Sequence, residues 1–214
     1  MPSPTDPRPN VLLTGFGPFP GVRENLSGSL AERLGFRARL MMPQFRFVVA
    51  VLPTEWMRAP QIVAELYEQN DPVLALHFGV SSLAQGFRIE TEAKNSCRMS
   101  ADHAGNFPAL TQVLDGGAGA HRVTINAASI VRHLNERGHH ASLSHDAGGY
   151  LCNAVLYHSL VEAERRARGC RVGFVHIPAD AGLLNPFDFT VSGAFEILKF
   201  ALEGAEPVTA LTSV

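Results

Sequence analysis

A cysteine stands where a loop becomes a helix. In SHDAGGYLCNAVLYHSL, residues 144–160, two glycines and a tyrosine lead into Cys152, and an apolar helical pattern follows. A free thiol titrates near pH ~8.5, so little thiolate exists at neutrality. The exposed N–H groups and dipole of a helix's first turn favour a thiolate, and an adjacent imidazole favours it further. Gly148 and Gly149 permit a sharp turn and the close approach of a substrate. Backbone N–H groups at the same turn, beside Gly149, offer a place for an oxyanion. The imidazole candidate is His176, in RVGFVHIP, and the carboxylate candidate is Glu90, in GFRIETEAKN. A carboxylate bonded to the far ring nitrogen fixes the histidine tautomer. Cysteine, histidine and glutamate together therefore suit acyl transfer by a triad.

Such residues need elements to bring them together. Short apolar runs predict strands over 10–14, 45–52, 72–78, 86–95, 139–143 and 171–177. Helical spacing predicts helices over 25–34, 54–69, 124–137, 152–168 and 190–202. Asn25 or Ser27 is the expected cap of the first helix and Thr54 that of the second. Long loops are expected over 15–24 and 97–121. The alternation predicts an α/β fold, a three-layer α/β/α sandwich around a mostly parallel, mixed central sheet. Ligands bind such sheets at the carboxyl ends of the strands. With the strands over 10–14, 72–78, 139–143 and 171–177 parallel to one another, the loop GFGPFPG, the segment reaching Glu90, the loop DAGGYLC and His176 would meet at one edge. A helix of about 17 residues descends roughly 25 Å, and the next strand climbs back, which returns His176 to the neighbourhood of Cys152.

The 214 residues are expected to form one domain over 10–204, after a disordered leader over 1–9 and before a tail over 205–214. With 46% hydrophobic and 18% charged residues the chain can bury a sizeable core. A formal net charge of -2 makes no electrostatic case for nucleic acid or an anionic membrane as partner. No run approaches the ~18 apolar residues of a membrane span, and the Pro-rich start lacks a signal-peptide core, so a cytoplasmic location is expected. Three cysteines without CxxC spacing indicate neither a disulfide framework nor a zinc knuckle. Cys170, at a strand start, reads as core, and Cys97 carries no assignment. Redox chemistry lacks a resolving cysteine near Cys152 in sequence. His139, His140, His145 and Asp146 lack metal-ligand spacing, so no metal and no other cofactor is expected. Arg165, Arg166 and Arg168 read as a solvated helix end. Of Glu90 and Glu92, at least one is expected to face solvent.

TGFGPFPGVREN, residues 14–25, resembles the opening TGFxPFGGxxxN of the pyroglutamyl peptidase I family of cysteine peptidases. DAGGYLCN, 146–153, resembles that family's nucleophile segment TAGTFVCN, and GFVHIP, 173–178, its GFIHIP. Order and spacing agree, and the resemblance runs from about residue 10 to 200. It implies a Cys–His–Glu triad with Cys152 as nucleophile and His176 as base. Counting from Gly79, Glu90 falls on the family's glutamate and Asn95 on the asparagine that follows it. The resemblance further implies removal of an N-terminal pyroglutamyl residue from a small peptide or amide, without metal or organic cofactor, and assembly as a homodimer or homotetramer. Phe16 and Phe19 would sandwich the flat lactam ring, whose faces are apolar. Asn25, Tyr150 and Val80 would complete the substrate pocket. Arg98, matched with a gap through RMSADHAGNFP, falls near the oxyanion site.

A second segment departs from the pattern, beside the altered spacing of RMSADHAGNFP. Where the family has GQAGGR, this chain has GVSSLAQGF, so Val80 stands in place of a pocket glutamine. Losing a hydrogen-bonding group from a polar pocket costs orders of magnitude in specificity. Gln85 is a candidate substitute, at a position that does not match. Two readings follow. One is a cysteine hydrolase acting through an acyl-enzyme on a pyroglutamyl peptide or a related small cyclic or acylated amide. The other is a non-catalytic relative that binds a small ligand in the same cleft.

Overall fold

The computed structural model describes residues 6–19, 22, 24–166, 169–179, 181 and 187–203. The expectations for residues 1–5, for Arg168 and for the tail over 205–214 lie outside the described residues.

In the first strand, β1 (Asn10–Phe16), every residue after Asn10 is buried, as a central strand covered on both faces requires. Asn25 caps α1 (Leu26–Met41), its side chain accepting from Ser27 N. This helix runs past the expected end at 34. Gly35 does not stop it, because it serves packing: a Cβ there would meet Val49 Cγ2 at 2.3 Å. Val49 belongs to β2 (Arg46–Leu52). The second helix, α2 (Arg58–Asn70), starts later than expected and Thr54 is not its cap. Instead the Thr54 hydroxyl bonds Pro18 O at 2.8 Å and Gly17 O at 3.1 Å, tying down the first loop.

After β3 (Leu74–Ser81), the expected strand over 86–95 divides at Thr91. Its first part is β4 (Phe87–Glu90), and its second is β5 (Glu92–Lys94), which pairs with β6 (Ala120–Arg122) in a separate two-stranded sheet. Thr91 donates its N–H to Ser144 O and accepts from Val123 N, which turns the chain out of the main sheet. Between β5 and β6 the long loop is stapled by Asn95, which bonds Leu114 N, Leu114 O and Gly117 O. The remaining elements are α3 (Ala127–Glu136), β7 (Ala141–Ser144), α4 (Leu151–Glu164), β8 (Arg171–Pro178) and α5 (Phe187–Leu202).

The main sheet has the order β2-β1-β3-β8-β4-β7. Strands β2, β1, β3 and β8 are parallel, whereas β4 is antiparallel to β8 and carries β7 in its own direction. The all-parallel route to the site is therefore corrected. A parallel return needs a crossover of about a dozen residues or more, and only residues 82–86 separate β3 from β4. Side chains alternate between two cores. Leu13 and Leu76 join α1, α3 and α5 on one face. Leu12 and Ala75 join α2 and α4 on the other, giving three layers. Among the described residues no helix is long and apolar enough to cross a membrane.

One buried polar chain crosses the second core. His77 Nδ1 meets Thr14 Oγ1 at 2.7 Å, its Nε2 meets Ser159 Oγ at 2.8 Å, and Tyr67 OH meets the same Ser159 oxygen at 2.8 Å. Burial holds the ring neutral and lowers its pKa to about 3. Unfolded, it takes up a proton near pH ~6.5. The folded pKa is the lower one, so the contribution to stability is present above about 6.5 and lost as pH falls toward 3. Urea unfolding of wild type should lose about 2 kcal/mol more between pH 7 and pH 5 than His77→Gln does. Equal losses in the two proteins would refute the assignment.

Candidate active site

Cys152 is the second residue of α4, half-exposed, at the wall of a cavity of about 530 Å³. No side chain caps this helix, so its first N–H groups are not consumed by a capping residue. The approach is shaped by Gly148, at φ +80, and by Gly149. Arg98 N donates to Gly149 O at 2.7 Å, and a Cβ on Gly149 would press Arg98 Cβ at 3.1 Å. The segment carrying Arg98 is thereby fixed against the loop that delivers the cysteine.

His176 lies near the end of β8, almost fully buried, and donates from Nδ1 to Glu90 Oε1 at 2.8 Å. That leaves Nε2 for the sulfur. Burial opposes a charge on the ring. The Cys152 sulfur, by charge and hydrogen bond, and the Glu90 carboxylate, by both as well, outweigh it and raise the pKa to about 9. Glu90 itself has no exposure, and its Oε2 has no hydrogen-bond partner among the described residues, so His176 is the group its charge serves. Glu92, two residues on, is half-buried in β5. Cys152, His176 and Glu90 are thus assembled, but by a route other than parallel strands. Antiparallel β4 sets Arg88 opposite His176 and brings Glu90 deeper along β8 to the inner ring nitrogen.

Gly79 makes room for the sulfur. Paired with His176 across β3 and β8, it would carry a Cβ 2.9 Å from Cys152 Sγ and 2.9 Å from Phe174 Cζ. Gly79→Ala is expected to fold with a loss of about 1–3 kcal/mol and to lower thiol alkylation and turnover at least ~10-fold by displacing the sulfur. Unchanged turnover would show that the contact is slack.

Of the other expected site residues, Phe16, Phe19, Val80, Asn25, Tyr150 and Arg98 all line this cavity. Phe16 is buried and also packs on Phe174, with centroids 6.4 Å apart. Asn25 spends its polar atoms on the first loop, donating to Gly17 O and accepting from Ser27 N and Oγ. Tyr150 donates its hydroxyl to Ala101 O at 3.1 Å and stands edge-on to Trp56. Burial, then the charges of Asp102 and Cys152, raise its phenol pKa, so it stays a donor. Gln85 is not brought to the site. It lines a separate small cavity with Phe87 and His140.

The other cysteines differ from Cys152. Cys170 is buried, bonded to Tyr67 OH, and pushed up to about 11 by burial. Cys97 is half-buried, and burial raises its pKa too. Arg166, expected in a solvated helix end, pairs with Glu162 and lies over the Tyr67 ring.

Two contributors escaped the reading of the sequence. Asn153, next to the cysteine, behaves like a strand partner: Oδ1 accepts from Lys94 N, and Nδ2 donates to Lys94 O and Ser96 O. An asparagine in the first turn of a helix but past the capping position has an amide free for use elsewhere. Arg88 also lines the cavity. Strand alternation two residues before Glu90 is the signal that places it on the same face.

Comparisons with known proteins point to one family. The family model for pyroglutamyl peptidase matches residues 9–181. A pyrrolidone-carboxylate peptidase of Bacillus cereus (strain ATCC 10987 / NRS 248) is 29% identical over 206 residues, covering 95% of this chain and 94% of the relative. Another, from strain B4264, is 31% identical over 206 residues with the same coverage. The crystal structure of Bacillus amyloliquefaciens pyroglutamyl peptidase I superposes with a TM-score of 0.81 at 25% identity, over 92% of this chain and 98% of that one. A mutant pyrrolidone carboxyl peptidase from Pyrococcus furiosus gives 0.82 at 26%, over 92% and 100%. With most of its length matched by the family model, and with Cys152 and His176 on one cavity wall and Glu90 bonded behind the histidine, the chain belongs to the pyroglutamyl peptidase family of cysteine peptidases.

Proposed function

We propose that the protein removes an N-terminal pyroglutamyl group from peptides through a thioester acyl-enzyme. The observation that carries this reading is the buried His176–Glu90 pair whose free ring nitrogen is left for a half-exposed sulfur at a helix start. Cys152 Sγ, its proton held by His176, attacks the carbonyl between the lactam and the leaving amine. The tetrahedral oxyanion lies at the uncapped N-terminus of α4, where backbone N–H groups and the helix dipole meet it. His176 passes its proton to the leaving nitrogen, the C–N bond breaks, and the thioester remains. Water, deprotonated by His176, then releases pyroglutamate and restores the thiol. Glu90 holds the ring in one tautomer and balances its charge. Phe16 and Phe19 offer apolar surface to the lactam faces.

Val80 favours a second reading, a binder of small ligands in the same cleft, because its side chain brings no hydrogen bond to a lactam and Gln85 lies in another cavity. Hydrolysis of a fluorogenic pyroglutamyl amide, in reducing buffer with chelator, separates the two. Turnover blocked by alkylation that maps to Cys152 supports the hydrolase. Saturable binding of pyroglutamate with no turnover would replace it by the binder.

A further inference from the structure

Three neighbouring strands set Gly79, His176 and Arg88 in one row. Gly79 is the parallel partner of His176 on β3, and Arg88 is its antiparallel partner on β4. Directly paired residues share a face of the sheet, so Arg88 projects where His176 does. On the other side of β3 comes β1. Its Phe16 stands two residues beyond Thr14, the partner of His77, and hence level with Gly79. The row therefore has a direction: aromatic wall over β1, sulfur over Gly79, base on β8, arginine on β4.

That direction assigns the two sides of the scissile bond. The acyl group lies with Phe16, Phe19 and Val80, on the β1 and β3 side of the sulfur. The leaving amine must lie toward His176, which protonates it. Arg88 stands beyond His176 and faces what is attached to that amine.

The Arg88 guanidinium is half-buried and anchored, its Nη2 donating to Ser144 Oγ at 2.7 Å. Among the described residues it forms no ion pair. Asp146, the carboxylate on the same cavity wall, pairs with Lys94 at 3.6 Å. A fixed fork of N–H donors without an anionic partner matches a carboxylate, with which it forms charge-assisted, bidentate bonds.

We propose that Arg88 recognises a carboxylate on the leaving group, so that substrates carrying one on the residue after the scissile bond are preferred. The proposal rests on the hydrolase reading above. Two sources carry this chemistry: the main-chain carboxylate of a pyroglutamyl dipeptide, and the side chain of an acidic residue.

The test compares kcat/KM within two substrate pairs, by chromatographic measurement of released product. Pyroglutamyl-alanine against its amide reads the main-chain carboxylate. Pyroglutamyl-aspartyl amide against pyroglutamyl-asparaginyl amide reads the side chain. Wild type should favour the charged member of at least one pair by about ten-fold or more. The pair that responds identifies the source. In Arg88→Met the ratio should collapse toward one. In Arg88→Lys, which keeps the charge and loses the fork, it should fall to an intermediate value. If Arg88→Met does not fold, an unreduced ratio in Arg88→Lys overturns the proposal. Ratios near one in wild type, or a ratio that survives in Arg88→Met, overturn it as well. A neutral fluorogenic pyroglutamyl amide is run with wild type alongside. Its cleavage with no carboxylate preference removes only the role of Arg88, whereas no cleavage of any substrate removes the hydrolase reading itself.

Discussion

Cys152→Ala is expected to lower kcat for a pyroglutamyl amide by about 10⁴-fold or more, with the fold retained. The size follows from what is left. An uncapped helix end still polarises the carbonyl, and the aromatic wall still holds the ring, but no atom remains to form the thioester. The cost in stability is small, within about 1 kcal/mol, because the sulfur is half-exposed and Gly79 beside it has no side chain to pack against it. Pyroglutamate, the product, should bind the variant about as well as wild type. Loss of turnover with retained binding is thus the signature of a nucleophile, whereas joint loss would mark a structural cysteine. Cys97→Ala, which removes a half-buried thiol outside the cavity lining, should retain turnover. If Cys152→Ala keeps more than about a hundredth of wild-type activity, another group performs the attack.

Much of this site was legible, and the exceptions have physical causes. The loop-to-helix cysteine, and the histidine one strand later, follow from local patterns: two glycines, a run of helical spacing, a short apolar strand. Chain geometry alone returns His176 to Cys152, and the structure agrees. The position of Glu90 was expected for an incomplete reason. Period-two alternation marks 86–95 as extended, but says nothing of direction or of the break at Thr91. Both are set by non-local bonds, those from Thr91 N to Ser144 O and from Val123 N to Thr91 O. The five residues between β3 and β4 were a usable sign that β4 runs back. Thr54 illustrates the opposite failure. A threonine before an apolar helical pattern has the look of a cap, yet its hydroxyl is taken by Gly17 and Pro18, which lie far away in sequence. Asn153 and Arg88 were readable from a first-turn position past the cap and from strand alternation. What they bond to was not, because Lys94 and Ser144 come close only when the fold is complete.

Glu90→Gln separates the charge of the acid from its shape, and should lower kcat/KM by on the order of 10³–10⁴-fold. The amide can turn either its oxygen or its NH₂ toward His176 Nδ1. With NH₂ inward the ring must keep its proton on Nε2, where it cannot accept one from the thiol. With oxygen inward the tautomer is right, but the imidazolium has lost its counter-charge. Either way the second amide atom occupies the place of Oε2, which has no partner among the described residues. A buried unpaired polar group of that kind costs about 1–3 kcal/mol, so the variant should also melt earlier. The pH profile distinguishes a catalytic cause from simple destabilisation. His176 has its pKa raised to about 9, against burial, by Cys152 and Glu90. The protonated ring that hands its proton to the leaving amine is therefore populated below about pH 9, and kcat/KM in wild type should fall as pH rises through that value. Removing the Glu90 charge takes away one of the two groups that raise the pKa, so in Glu90→Gln the alkaline limb should move to lower pH. A variant that is merely less stable would lose activity evenly and keep the limb where wild type has it. A wild-type limb near the ordinary histidine value, unmoved by the substitution, would mean that Glu90 positions the ring without charging it.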